Sequence, residues 1–242
     1  MISELFFIKT YNSFWNQLLN SAEDYIKSIN AAGLEEVSEV IRDDDQPSRR
    51  ILVNNVATRI FQLGIEKNIL PSLLVSDNKI DLELVSEEQK ERLLNLRFGS
   101  KLSSTLKSVE KGILLKMADG LFSHYFDKGN LQLNPRFNGC GMLFPSNGDL
   151  IYDRTLVEIK AGERNFKSID LRQLYTYMAV SYADTKTIYD KIELFNPRNG
   201  VVWTEEVDEV SNSISGYSTI ELLDEIIKFL INGMEVEVKQ SH

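Results

Sequence analysis

Residues 148–177 constrain the fold more than any other part of this chain. Two short apolar runs, Leu150–Tyr152 and 156–159, flank an Asp-Arg-Thr turn, a pattern that predicts a β-hairpin. Apolar residues at helical spacing follow over 170–182, and Ser168 is the expected cap of that helix. A hairpin followed at once by a helix indicates an α/β fold rather than an all-helical one.

Polar side chains occupy defined positions on these elements. Asp149 opens the first run, and Glu158 and Lys160 end the second, one residue apart and therefore on the same face of a strand. Gln173 and Tyr177 are spaced i, i+4 and share one face of the helix. Two carboxylates and a lysine beside a polar helix face are typical of a site that binds a divalent metal and activates water.

Gly-Asp-Leu, Glu-Ile-Lys and Gln-x3-Tyr, in this order, resemble the motifs of the PD-(D/E)XK (restriction-endonuclease-like) nuclease superfamily, in particular its RecB-like branch with a QxxxY motif. The resemblance covers about the C-terminal half of the chain. It implies a central mixed β-sheet flanked by helices, with the metal site at one edge. It also implies hydrolysis of DNA phosphodiester bonds with Mg²⁺ or Mn²⁺ as cofactor.

The resemblance assigns a role to each matched position. Asp149 and Glu158 are the expected carboxylate ligands of the metal, and the backbone carbonyl of Ile159 is the expected third ligand. Lys160 is expected to contact the attacking water and the scissile phosphate, where it stabilises the charge that develops in the transition state. The Gln and Tyr of the helix motif are expected to position the lysine, the water or the substrate backbone.

Two upstream residues are additional candidates for the metal site. In the superfamily a glutamate on the helix before the sheet often faces the metal, and Glu110 matches that place. Its preferred interpretation is nevertheless a solvated acid among lysines. RecB-like enzymes often place a histidine near the metal, which makes His124 a candidate. Since it stands among aromatic residues, a partly buried structural histidine is preferred.

The residues of the central motif could also have purely structural roles. Glu158 and Lys160 could form a cross-strand surface pair, worth a few tenths of a kcal/mol. Asp153 is the main rival for a ligand position, but turns favour Asp for local backbone hydrogen bonds, so Asp153 is assigned to the turn.

Basic residues near the motif suggest how a nucleic acid would be held. Arg164 and Lys167 lie in the loop after the hairpin, and Arg172 lies near the start of the helix, where exposed contact with phosphate is expected. Arg198, in a later turn, is expected to be solvated. The net charge of −9 argues against general coating of nucleic acid, because phosphate affinity comes from clustered Lys and Arg. A partner that delivers the substrate is therefore expected.

Composition limits the remaining possibilities. The 242 residues allow one large domain or two small ones. A single cysteine, Cys140, cannot form an intrachain disulfide or a four-cysteine iron–sulfur cluster, and with only two histidines it argues against zinc. No apolar run reaches the roughly 20 residues that span a bilayer, and the N-terminus lacks the pattern of a secretory signal. A cytoplasmic protein is expected.

The rest of the chain predicts two regions: a helical N-terminal region over 1–98, for docking or DNA gating, and a nuclease core over 99–242. Helices are expected over 12–29, 34–41, 47–67, from a Ser86–Gln89 capping box to about 96, and over 102–126, with a joint at 98–100. A second hairpin, 191–195 with 201–204, and a final helix from Ser218 to a stop at Gly233 complete the core.

These observations predict a metal-dependent nuclease that hydrolyses DNA in a defence, restriction or repair system. A separate ATPase or helicase is the expected partner, since the chain itself has no phosphate-binding G-x4-G-K-[ST] loop. The alternative is a nuclease-like fold that acts as a nucleic-acid-binding or scaffold subunit without cleavage. Exonuclease or endonuclease action, DNA or RNA as substrate, and oligomeric state stay open.

Overall fold

The computed structural model describes residues 1–42, 46–95 and 103–240, with the side chains of 234–240 left aside. Its helices are α1 (Glu4–Thr10), α2 (Asn12–Leu18), α3 (Ala22–Ser28), α4 (Arg50–Lys67), α5 (Pro71–Ser76), α6 (Leu82–Asn95), α7 (Ser108–Tyr125), α8 (Ser168–Thr185), α9 (Val207–Ser215) and α10 (Thr219–Gln240). The strands are β1 (Glu35–Glu36), β2 (Gln132–Leu133), β3 (Arg136–Phe137), β4 (Ser146–Asn147), β5 (Leu150–Tyr152), β6 (Thr155–Ile159), β7 (Lys191–Asn196) and β8 (Val201–Glu206).

A six-stranded mixed sheet forms the centre, in the order β1-β8-β7-β6-β5-β2, and β3 pairs with β4 separately. β6 and β7 are parallel and are joined through α8, as a parallel pair requires a crossover connection. The other pairs in the sheet are antiparallel. The predicted α/β class, with a mixed sheet flanked by helices, is confirmed.

The two faces of the sheet carry separate hydrophobic cores. Leu156 packs in the core formed with α1–α3 and α8–α10, whereas its neighbour Val157 packs in the core formed with α4, α6 and α7. This alternation is the period of two that a strand buried on both faces requires. The first 95 residues contribute to both cores, so the predicted boundary near residue 98 does not separate one core from the other.

Several predicted elements are confirmed in type and place. The first hairpin is β5 with β6, the second is β7 with β8, and α4, α7, α8 and α10 lie where helices were predicted. Ser218 caps α10 through Glu221, whose Oε2 accepts hydrogen bonds from the backbone N–H and the hydroxyl of Ser218. The predicted joint at 98–100 lies outside the described residues.

The N-terminal predictions are partly wrong. The helix expected over 12–29 is two helices, because the chain leaves helical geometry at Leu19, with φ −108° and ψ 58°. The helix expected over 34–41 is absent from the described residues there; Glu35–Glu36 instead adds an edge strand to β8. α1, α5 and α9 were not predicted. None of the helices in the described ranges is long and apolar enough to cross a bilayer.

Four helices also have ends that differ from expectation. α6 begins at Leu82, where Asp81 Oδ1 accepts from two backbone N–H groups, so Ser86 lies inside the helix and is not its cap. α7 begins at Ser108, later than predicted, and α8 begins at Ser168 itself and runs on to Thr185. α10 continues past Gly233, where a Cβ would lie 2.8 Å from Met142 Sδ; that glycine permits close packing rather than ending the helix.

Candidate active site

The β5–β6 hairpin brings the two predicted carboxylates together. Leu150 pairs with Val157, and the same register continued by one residue places Asp149 opposite Glu158. Asp153, at the other end of the hairpin, has φ 38° and accepts hydrogen bonds from Gly129 N and Asn130 Nδ2 at 3.2 and 2.9 Å. These bonds and the left-handed backbone are those of a turn residue.

Asp149 is bound to the backbone of the neighbouring strand. Its Oδ2 accepts a hydrogen bond from Ile159 N at 2.7 Å. Burial raises the pKa of Asp149, and the Ile159 N–H and the Lys160 ammonium act in the opposite direction. The side chain is therefore held in place at the end of β6.

Glu158 is more deeply buried, with 4% of its surface exposed. Its Oε1 accepts a hydrogen bond from Lys160 Nζ at 2.7 Å, whereas its Oε2 has no hydrogen-bond partner in the described part of the chain. Burial, and then the neighbouring Asp149 carboxylate, raises the pKa of Glu158 to about 8. A buried carboxylate oxygen without a donor is costly, so Oε2 requires either a proton or a cation.

Lys160 begins a chain of hydrogen bonds through the predicted helix motif. Its Nζ donates to Gln173 Oε1 at 2.8 Å, Gln173 Nε2 donates to the Tyr177 hydroxyl at 3.0 Å, and that hydroxyl donates to Asn147 O at 3.2 Å. Asn147 lies two residues before Asp149. The helix motif therefore fixes both the lysine and the segment that carries the first carboxylate.

Asp170 is a site residue that the sequence did not single out. It is 1% exposed, lies 3.6 Å from Lys160 Nζ, and accepts a hydrogen bond from Lys167 N at 2.9 Å. Arg164, expected to meet phosphate, instead forms a two-pronged ion pair with Asp170 at 2.7 and 2.6 Å. An acid at the third position of a helix is a capping signal, and this signal was available in the sequence.

The structure places two further arginines inside the protein. Arg172 is 7% exposed and donates to Ile8 O, Asn12 Oδ1 and Asn16 Oδ1, so the expectation of an exposed phosphate contact is wrong. Arg198 is 1% exposed and was wrongly expected to be solvated; it donates to Ala161 O at 3.3 Å. Lys167 is exposed, as a phosphate contact requires.

The two upstream candidates occupy separate polar clusters. Glu110 is 2% exposed and paired with Arg49, so it is not the solvated acid that was expected. Burial acts to raise the pKa of Glu110, but hydrogen bonds from Arg49 and Lys107 N lower it overall. His124 is partly buried, lies 3.4 Å from Glu193 and stacks on Phe195.

A polar cleft of about 450 Å³ opens next to Asp149. One wall is the end of the hairpin, with Asp149 and Ile159, and the other is formed by α4 and α6. The facing wall is rich in amide and guanidinium groups, from Asn54, Asn55, Arg59, Gln62, Gln89 and Arg92. The N-terminal helices therefore help to build the site, although no residue on them was predicted to do so.

The donor set fits a hard divalent cation. No cluster of three or more His, Cys, Asp or Glu side chains that could hold a metal occurs among the described residues. Mg²⁺, however, binds through one or two carboxylates and keeps several waters. Asp149 and the unpartnered Oε2 of Glu158 would supply those two carboxylates, and Ile159, whose carbonyl is the expected third ligand, lines the cleft together with Asp149.

Comparison of the chain with known protein families, with characterised proteins and with solved structures gives no significant match in any of the three. The case for function therefore rests on the geometry of the site.

Proposed function

We propose that the protein is a Mg²⁺- or Mn²⁺-dependent nuclease of the PD-(D/E)XK type, with a restriction-endonuclease-like core. One observation carries the proposal: the two carboxylates, the lysine and the Gln-x3-Tyr pair form a single connected group, and Asp149 of this group lines a polar cleft. A surface cross-strand pair accounts poorly for it, because Glu158 is buried and one of its oxygens has no partner.

The bound metal would supply a Lewis acid that neutralises phosphate charge and lowers the pKa of a coordinated water. Asp149, Glu158 and the Ile159 carbonyl are the residues that would hold it. The hydrogen bond from Ile159 N at 2.7 Å keeps the Asp149 carboxylate oriented, so little reorganisation is needed when substrate enters.

Lys160 has a separate task in this proposal. Its ammonium donates to Glu158 and Gln173, so its position is fixed before substrate arrives. Its pKa is raised: burial acts to lower it, but the carboxylates of Glu158 and Asp170 outweigh burial. The lysine therefore stays charged near neutral pH, where it orients the attacking water and stabilises the charge that develops on the scissile phosphate.

The Gln-x3-Tyr pair acts on position rather than on the reacting atoms. Because Gln173 accepts from Lys160 and Tyr177 donates to Asn147 O, α8 sets the distance between the lysine and the Asp149 segment. A displacement of about 1 Å in such a group can cost on the order of a hundredfold in rate.

Cleavage assays test the proposal. We expect the purified protein to cut linear, circular or single-stranded DNA with Mg²⁺ or Mn²⁺ and to be inactive with EDTA. Lys160→Ala should lower the rate by about 10²–10³-fold. Lys191→Ala, which removes an exposed strand lysine on β7, is the matched control and should leave the rate unchanged.

Absence of cleavage on every DNA and RNA substrate, with and without an ATPase or helicase partner, would contradict the proposal. It would favour a nuclease-like binding or scaffold subunit. Loss of activity in Lys191→Ala equal to that in Lys160→Ala would also count against it, because the effect would then not be specific to the site.

A further inference from the structure

The wall of the cleft that faces Asp149 contains a polar group without a partner. Gln89, on α6, is 4% exposed, lines the cleft, and its Nε2 has no hydrogen-bond partner in the described ranges. A buried donor of this kind costs about 1–3 kcal/mol. Rotation about the terminal bonds of the side chain would turn the amide toward the cleft, where an acceptor on a ligand would satisfy it.

Two arginines lie on the same wall. Arg92 follows Gln89 by three residues and so lies on the same face of α6; it makes no hydrogen bond or ion pair with the described part of the chain. Arg59, on the adjoining α4, pairs with the half-exposed Glu66 at 3.1 Å. Such an exposed pair contributes little to stability, so Arg59 can exchange this partner for a phosphate.

The negative charge of the molecule means that an anionic substrate needs cations on this wall of the cleft. The chain carries a net charge of −9, and Asp149 stands on the opposite wall, so an anionic substrate is repelled unless local cations offset these charges. Arg164 and Arg172 cannot serve, because their guanidinium groups are bound to Asp170 and to the N-terminal helices. Among the described residues that line the cleft, Arg59 and Arg92 are the cations.

The size and lining of the cleft suit an unpaired strand. About 450 Å³ lies within the roughly 300–1,000 Å³ of pockets that enclose a small ligand, which is room for one or two nucleotides. Amide side chains from both walls can hydrogen-bond to the edges of unpaired bases.

We propose that Arg59, Arg92 and Gln89 form a subsite for the phosphate backbone of an unpaired nucleic-acid strand, adjacent to the scissile bond. The inference rests on the proposed nuclease function for the identity of the strand. It assigns to α4 and α6 the substrate contacts that the sequence had placed on α8 and the loop before it.

Fluorescence anisotropy tests this subsite without cleavage. A short fluorescein-labelled thymidine oligonucleotide is titrated with protein in EDTA at several salt concentrations. Arg59→Gln and Arg92→Gln should each weaken binding by about fivefold to tenfold. Each should also reduce the slope of log affinity against log salt concentration by the amount that about one phosphate contact contributes. Gln89→Leu should weaken binding with no change of slope, because it removes no charge.

Lys228→Gln is the matched control, since it removes one exposed cation far from the cleft in the fold: α10 packs in the hydrophobic core on the other face of the sheet. Thermal melting of each variant establishes that it is folded. Folded Arg59→Gln and Arg92→Gln variants that lose no more affinity than Lys228→Gln would overturn the subsite. So would inorganic phosphate at low millimolar concentration that displaces the oligonucleotide completely, which would mark a site for the free ion.

A duplex of the same sequence should bind at least tenfold more weakly; equal affinity, with the same losses in the arginine variants, would overturn the unpaired form of the substrate.

Failure of the subsite is distinguishable from failure of the nuclease. Cleavage with unchanged binding in the arginine variants refutes the subsite alone, whereas weakened binding without any metal-dependent cleavage leaves the subsite supported and refutes the enzyme.

Discussion

Replacement of Glu158 by glutamine should stabilise the protein and abolish the proposed nuclease activity. The pKa of this carboxyl rises from 4.5 to about 8 on folding, through burial and the neighbouring Asp149. Between these two values the folded state binds more protons than the unfolded state, so stability falls as pH rises. Each pH unit in that interval costs about 1.4 kcal/mol.

At about pH 7 the free energy of unfolding of the wild type should therefore be on the order of 3 kcal/mol lower than at acid pH. Glu158→Gln should not show this loss, because glutamine resembles the protonated carboxyl. Urea unfolding with EDTA, at several values between about pH 4 and pH 8, measures this difference. The variant and the wild type should have nearly the same free energy of unfolding at the acid end. The advantage of the variant should then grow steadily as the pH rises. For a chain of this length, the gain near neutrality corresponds to about 6–12 °C in Tm.

Glu206→Gln, on an exposed glutamate of β8, controls for the chemical change and should show no such trend. Added Mg²⁺ should stabilise the wild type and not Glu158→Gln, since only the former can bind it. If Glu158→Gln is destabilised to the same extent at both ends of the pH range, Glu158 is ionised in the folded protein and the reasoning from its burial is wrong.

Three further substitutions probe the surroundings of the site. Gly148→Ala should lower the cleavage rate about tenfold, because its Cβ would lie 2.8 Å from Phe137 Cε2; Phe137→Leu in the same chain should restore the rate, and failure to do so would refute a packing cause. Asp153→Ala should cost about 1 kcal/mol in unfolding experiments yet retain cleavage; loss as complete as in an Asp149 variant would make Asp153 a ligand. Glu110→Leu should cost about 3–5 kcal/mol by leaving Arg49 buried without a counter-charge, and Arg49→Met should recover much of it; a lower metal affinity in the folded double variant would instead place Glu110 at the metal.

The centre of the site was predictable because its parts lie close together in the sequence. The strand period placed Glu158 and Lys160 on one face, and the helix period placed Gln173 and Tyr177 on one face. Both spacings are local and survive in the structure, where these side chains are joined by hydrogen bonds.

The facing wall was not predictable in the same way. Gln89 was assigned to a helix cap from its spacing to Ser86, and only the packing of α6 against α4 shows that it lines a cleft. Arg172 looked exposed because its acceptors, Asn12 and Asn16, are 160 and 156 residues away in the chain. β1, two exposed glutamates at a sheet edge, carries no period from which a strand could be recognised.

The position of Arg172 limits how the chain can be divided. This guanidinium stands next to Gln173 on α8 and is bound by Ile8 O and by two asparagines of the first helices. Removal of those helices would leave a buried cation without acceptors on the element that orients the lysine. Transplanting residues 99–242 alone into another protein should therefore not transfer activity. The motif is compact in sequence, but the helix that carries half of it depends on the first sixteen residues of the chain.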